Sequence, residues 1–230
     1  MVKTVLITGA SRGIGLEFAR QYAQDGWRVH ACCRQPGKAE DLKAALNGKN
    51  GLIHGLDVTD DASIQDLAQA IEDEAIDVLI NNAGIMPDDR KADGAMDYEA
   101  WEAALRTNVI APFRMVEALI DRVDAGDMRI IANISSLMGS IGDNRSGGDH
   151  IYRTTKTSLN MVAVNLAVDL RERGITVLAF HPGWVRTDMG GSNAAVAPED
   201  SVSGIRKQIA AAGPDQSGGF TNYDGTPLAW

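Results

Sequence analysis

The chain has 230 residues, enough to bury one full hydrophobic core, and residues 1–230 read as a single domain. Apolar residues make up 44% and charged residues 23%, close to globular averages, and no run of about eighteen apolar residues offers a membrane span. A formal net charge of -9 argues against nucleic acid as a partner, because neutralising phosphates needs a concentrated basic surface.

Short β-branched runs alternate with segments of helical periodicity. That is the pattern of right-handed strand-helix-strand units building a doubly wound parallel sheet with helices on both faces, an α/β fold of the Rossmann type. The first strand, 4–8, leads into a glycine-rich turn with no small-residue cleavage site, so it is not a signal peptide. Helix 14–25 follows, then strand 28–33 and helix 38–46. The only cysteines, Cys32 and Cys33, are neighbours in that second strand and point to opposite faces, which disfavours a mutual disulfide and suits a reducing cytoplasm. Strand 51–56, helix 61–74 and strand 78–81 come next, and the acids Asp60, Asp61, Asp66, Glu72, Asp73 and Glu74 read as a solvated helix face. A long helix, 98–123, contains Pro112, which is expected to kink or break it. Strand 128–134, a polar loop at 139–149, helix 151–172, strand 176–181, helix 198–212 and strand 219–222 complete seven strands.

Between the first strand and the first helix the chain reads Thr8-Gly9-Ala10-Ser11-Arg12-Gly13-Ile14-Gly15. Glycines there let the backbone approach a pyrophosphate, and free N–H groups with the dipole of the helix start favour negative charge. Dinucleotide-binding domains that take NAD usually carry an acid about 20 residues on, at the end of the second strand, to bind the ribose 2′-hydroxyl. This chain has Cys33-Arg34 instead. Arg34 and Arg12 offer guanidinium donors to a 2′-phosphate, so NADP(H) is the expected cofactor.

Tyr152 and Lys156 stand four residues apart on a predicted helix, on one face within a turn of each other. A nearby ammonium stabilises phenolate, and bringing a phenol from a pKa of about 10 to about 7 takes roughly 4 kcal/mol, an amount that a desolvated site with Lys156 and a cationic nicotinamide together would supply. The strand ending Asn133-Ile134-Ser135-Ser136 brings hydroxyls to the carboxyl edge, where parallel sheets place ligands.

Taken in order, residues 8–15, Asn81-Asn82-Ala83-Gly84, Asn108, Ser136, Tyr152, Lys156 and Pro182-Gly183 resemble the short-chain dehydrogenase/reductase family over essentially the whole chain. Segments 181–189 and 218–230 look most like its Sniffer-type carbonyl reductase and C-factor branch. The resemblance implies NADPH-dependent reduction of a small-molecule carbonyl compound. Tyr152 would be the general acid, Lys156 would bind the nicotinamide ribose and lower the Tyr152 pKa, and Ser136 would hold the carbonyl oxygen. Asn108 would position a relay water. It further implies that the cofactor meets Gly9, Ser11, Arg12, Gly13, Ile14, Gly15, Arg34, Asp57, Val58, Asn82, Ala83, Gly84, Pro182, Gly183, Val185 and Thr187. Asp57 could equally cap a turn, and Asn81 is expected to tie neighbouring strands. Ser135 and Ser140 rival Ser136, whose separation from Tyr152 is three residues longer than the family's usual one.

Met86, Met138, Ile141, Trp184 and Met189 would form an apolar wall. With only Arg145, Arg153 and Arg186 nearby as cations, a small apolar or aromatic ketone, aldehyde or quinone is the expected substrate. His150 and His181 lack metal-ligand spacing, and no metal is expected. A C-factor-like signalling or sensor protein and a 3-oxoacyl thioester reductase are the alternatives. A homodimer through helices 98–123 and 151–172 is possible.

Overall fold

The structure is a computed structural model describing residues 2–230. Its strands are β1 (Thr4–Thr8), β2 (Arg28–Cys33), β3 (Gly51–Gly55), β4 (Val78–Asn81), β5 (Ile130–Ile134), β6 (Thr176–His181) and β7 (Gly219–Asn222). They form one sheet in the order β3-β2-β1-β4-β5-β6-β7, and every neighbouring pair is parallel. This is the Rossmann-type arrangement that the alternating pattern predicts. β5 starts two residues later than expected because Arg129 adopts a left-handed φ of 54°, which breaks the extended run.

The helices are α1 (Gly13–Gln24), α2 (Glu40–Leu46), α3 (Asp61–Ala70), α4 (Tyr98–Leu105), α5 (Ala111–Asp124), α6 (His150–Asp169) and α7 (Pro198–Ala211). Alternation along the strands divides the core into two layers. Val5, Ile7, Val29, Cys33, Ile80 and Phe180 pack under α1, α2 and α7, against Phe18, Tyr22, Leu42 and Ile205. Leu6, Cys32, Leu79, Ile131 and Val177 face the other way, onto Ile64, Met115, Leu119 and Leu166 of α3, α5 and α6. Cys32 and Cys33 therefore lie in different layers, and both are free thiols.

The single helix expected over 98–123 is two helices. α4 and α5 are joined by a wide π turn over Arg106–Ile110, and Pro112 sits in the first turn of α5. Pro112 has no N–H for the carbonyl of residue 108, four positions back, so a regular α ladder cannot run through that point. Nor is the acidic segment 60–74 merely solvated. Asp60 caps α3 through the Ala62 N–H at 3.2 Å, Asp61 pairs with Arg114, and Glu74 pairs with Arg28.

From β1 the chain winds outward to β3, then returns to place β4 on the other flank of β1. Connections leaving the carboxyl ends of β1 and β4 diverge there, opening a crevice at the switch point of the sheet. No helix among the described residues is long and apolar enough to cross a membrane.

Candidate active site

A cavity of about 1140 Å³ fills that crevice, running from Arg34 and Asp57 past the glycine turn to Ser136 and Tyr152. Every residue singled out for cofactor or catalysis lines it except Asn108, which is fully buried behind the wall. Ile141, His150 and Arg186 lie outside it, whereas Met86, Met138, Trp184 and Met189 form its apolar side as expected.

At the phosphate end, α1 begins at Gly13 with Arg12 as its N-cap, no capping side chain and no acid in its first turn. Its first N–H groups are thus left for an anion supplied from outside the helix. Gly9 holds a φ of +68°, and a Cβ there would stand 2.9 Å from the Ala83 Cα. A Cβ on Gly15 would stand 2.3 Å from the Gly9 carbonyl oxygen. Thr8 and Asn82 lock this turn onto the end of β4. The Thr8 Oγ1 accepts from the Asn82 and Ala83 N–H groups, both at 3.0 Å, and the Asn82 amide donates to the Thr8 carbonyl at 2.9 Å. Arg12 reaches across the cleft to Asp188 at 2.9 Å, an exposed pair linking the turn to the segment after β6. Arg34 lines the cavity and, among the described residues, makes no salt bridge. Asp57 caps a turn by accepting from the Thr59 N–H at 2.9 Å and hydroxyl at 2.7 Å, which hold its carboxyl below the usual range, and it still faces the cavity.

At the other end Tyr152 and Lys156 lie on the first turns of α6, both buried. The Lys156 Nζ sits 5.6 Å from the centre of the Tyr152 ring and donates to the Ile134 carbonyl at 2.9 Å. Burial pushes the Tyr152 phenol up to about 12, with a hydrogen bond to Ser136 pulling the other way. The Tyr152 pKa is therefore raised in the protein alone; the expected lowering counted on Lys156 together with a cationic nicotinamide. Burial also drops the Lys156 ammonium to about 8. Both shifts have one physical origin, the cost of charge in a dry wall.

The three candidate serines separate by their bonding. Ser135 lines the cavity but donates its hydroxyl to Asn160, and Ser140 does not line it and accepts from the Asp143 N–H at 3.1 Å. Ser136 lines the cavity; its Oγ accepts from the Met138 N–H at 3.1 Å, and its hydroxyl hydrogen, which supports the Tyr152 oxygen, can rotate to a ligand. The loop that lengthens the interval to Tyr152 is anchored at Gly139, where a Cβ would stand 2.8 Å from the Lys156 backbone.

The Asn108 amide is held by three structural hydrogen bonds. Its Oδ1 accepts from the Ile85 N–H at 2.8 Å, and its Nδ2 donates to the Ile85 carbonyl at 2.8 Å and to the Thr155 hydroxyl at 3.0 Å. Asn81 ties strands as expected, donating to the Asn133 Oδ1 at 3.0 Å. Sequence reasoning missed Asp89. Its carboxylate accepts from the His150 and Ile151 N–H groups at 2.7 and 2.9 Å, capping α6 from another part of the chain. It also missed Ile134, Asp188 and Arg106, whose parts depend on tertiary neighbours. Thr8 was signalled, as the residue opening the glycine turn. Among the described residues no group of three His, Cys, Asp or Glu is placed to hold a metal.

A family profile described as short chain dehydrogenase matches residues 3–197. The structure is similar to carbonyl reductase Sniffer of D. melanogaster, with a TM-score of 0.92 and 34% identity over 100% of both chains. It is also similar to an NADPH-bound carbonyl reductase from chicken fatty liver, with a TM-score of 0.91 and 34% identity over 100% of this chain and 94% of that one. In sequence it is 35% identical, over 100% of both proteins, to 1-hydroxy-2-glutathionyl-2-methyl-3-butene dehydrogenase of Rhodococcus sp. (strain AD45). The chain belongs to the short-chain dehydrogenase/reductase family.

Proposed function

We propose that this oxidoreductase, acting as one domain over residues 1–230, uses NADPH to reduce small ketones, aldehydes or quinones to alcohols. The observation that carries the reading is one cavity with two chemically distinct ends. An uncapped helix start and unpaired Arg34 lie at one, and Ser136, Tyr152 and Lys156 converge at the other. The first end fits the cofactor, because Gly9 and Gly15 let the turn close onto Ala83 and onto itself where a Cβ would collide, which leaves the uncapped helix start open to a pyrophosphate. Arg34 would hold the 2′-phosphate. Arg12 can join it by leaving Asp188, since so exposed a pair contributes at most about 1 kcal/mol. The NADPH in the chicken reductase supports the same choice.

When bound, the nicotinamide supplies the hydride. The chain's own residues handle the charge and the proton. Ser136 turns its hydroxyl hydrogen from the Tyr152 oxygen to the carbonyl oxygen of the bound substrate, so a donor is in place before negative charge develops there. Tyr152, with a pKa near 12, is protonated at neutral pH and remains far more acidic than an alcohol, whose pKa is near the ~15.7 of water. Proton transfer from its phenol to the nascent alkoxide is therefore downhill. The Lys156 ammonium, fixed on the Ile134 carbonyl, supports the phenolate left behind and would hold a ribose hydroxyl. Met86, Met138, Trp184 and Met189 exclude water and give the substrate an apolar wall.

Exposed Ile110 and Phe113 on one side, with Met161 and Val168 of α6, would suit a homodimer through these helices. The test of activity is NADPH and NADH oxidation against a panel of neutral ketones, aldehydes and quinones by wild type and Tyr152→Phe. Turnover with NADPH that falls by about 10²–10⁴-fold in the variant supports the reading. Cofactor binding with no Tyr152-dependent turnover on any carbonyl overturns it.

A further inference from the structure

The wall of the cavity is electropositive on a chain whose net charge is -9. Part of that belongs to the cofactor end, at Arg12 and Arg34. The remainder does not. Arg106 on the π turn, Arg145 on the 139–149 loop and Arg153 on α6 line the Tyr152 end. Among the described residues none of the three forms a salt bridge. Asp143 is the one carboxylate lining that end that is not already paired, since Asp188 holds Arg12.

Arg153 is the most informative of them. It is half-buried, its Nη2 donates to the Ser146 hydroxyl at 2.9 Å, and its Nε is buried without any acceptor. Two other arginines, Arg28 and Arg206, have a similarly orphaned Nε, but each places another guanidinium nitrogen on a carboxylate. Arg153 meets only a neutral hydroxyl. A buried donor with no acceptor is costly and rare, so the guanidinium is oriented by Ser146 yet electrostatically unsatisfied in the cavity wall. A planar carboxylate complements such a fork by taking two of its N–H groups at once. Unpaired cations at a low-dielectric mouth also concentrate anions from solution.

We propose that the cavity selects carbonyl substrates bearing a carboxylate, seated on Arg153 with Arg145 and Arg106 at the rim. This rests on the carbonyl-reductase reading and refines it. The apolar wall takes the body of the substrate, Ser136 and Tyr152 take its carbonyl, and the arginines take its charged end. Arg153 is adjacent in sequence to Tyr152, so substrate charge and reacting oxygen are registered by one helix turn.

The test compares 4-carboxybenzaldehyde with its methyl ester, methyl 4-formylbenzoate, at saturating NADPH. The ester group withdraws electrons more strongly than the carboxylate, so intrinsic reactivity runs against the expected preference. Wild type should show a kcat/KM ratio of carboxylate to ester of about tenfold or more, the range of a charge-assisted hydrogen bond. The ratio should fall toward one in Arg153→Gln and in the triple variant with Arg145→Gln and Arg106→Gln. It should also fall when NaCl rises from about 20 to about 500 mM. Because the ratio is read within each protein, a general loss of activity cancels. A wild-type ratio at or below one with robust ester turnover overturns this inference alone, as does a ratio that survives the triple substitution. Failure to reduce either aldehyde, or any neutral carbonyl, overturns the reductase reading and this inference with it.

Discussion

Replacing Gly9 by alanine tests whether the glycine turn is built by close approach or only by backbone conformation, and Gly26 supplies the control. Both residues hold left-handed φ angles, +68° and +79°. An added Cβ at Gly26 meets nothing within 4 Å, whereas at Gly9 it stands 2.9 Å from the Ala83 Cα and 3.2 Å from the Ala83 N. Ala83 cannot retreat freely, because its N–H is held by the Thr8 hydroxyl at 3.0 Å. Gly26→Ala should therefore cost only the left-handed penalty, about 1–2 kcal/mol. Gly9→Ala adds overpacking of about 1–3 kcal/mol, for a total of about 2–5 kcal/mol. Urea unfolding measures both, and a fluorescence titration with NADPH measures the consequence for binding. Gly9→Ala should weaken NADPH by at least about tenfold, equivalent to about 1.4 kcal/mol, while Gly26→Ala leaves affinity unchanged. Equal destabilisation by the two variants with equal NADPH affinity would refute the close-approach argument.

Three further predictions address the buried polar groups. Lys156 carries its charge only below a pKa near 8, so kcat/KM for reduction should decline as pH rises past about 8; the decline should move to higher pH in Lys156→Arg, and a profile flat to about pH 9.5 in wild type would contradict the assignment. Asn108→Ala strands the Ile85 N–H and carbonyl and should cost about 2–4 kcal/mol in urea unfolding, a loss that would show the amide to be a structural tie. His30 is fully buried against His54 at 2.9 Å with Glu74 and Arg28 alongside, and burial first, then His54, lowers its pKa from 6.5 to about 4. The unfolded chain then binds more protons between pH 6.5 and 4, so stability falls as pH falls through that window, by about 2 kcal/mol between pH 7 and 4.5 for this group. His30→Gln should lose correspondingly less on acidification, and an unchanged pH dependence would discount it.

Local chemistry made much of the site legible before any coordinates. Glycines at 9, 13 and 15 after an apolar strand, and Tyr152 four residues before Lys156, carry their geometry in their spacing, because strand-to-helix turns and helix faces are set over a few residues. The charge state of that pair was not legible. Spacing shows where an ammonium stands beside a phenol, but in the protein alone burial raises the phenol and lowers the ammonium, and desolvation depends on everything packed around them. The hydrogen bond that occupies Ser135, made with Asn160, was likewise not legible in the sequence.

By itself, the order of apolar runs and helical periods determined seven parallel strands and the strand ends that face the crevice, whereas most of the expected cofactor contacts came from the family resemblance. The strands and their ends follow from alternation, handedness and short connections, which are properties of the chain read locally. Tertiary structure alone decided the rest: the π turn that splits 98–123, the Asp89 cap on α6, the pairing of Arg12 with Asp188 and the lack of any carboxylate on Arg153. Each joins residues far apart in the chain, and whether a charge is paired or stranded depends on which distant groups the folded chain brings within hydrogen-bond reach.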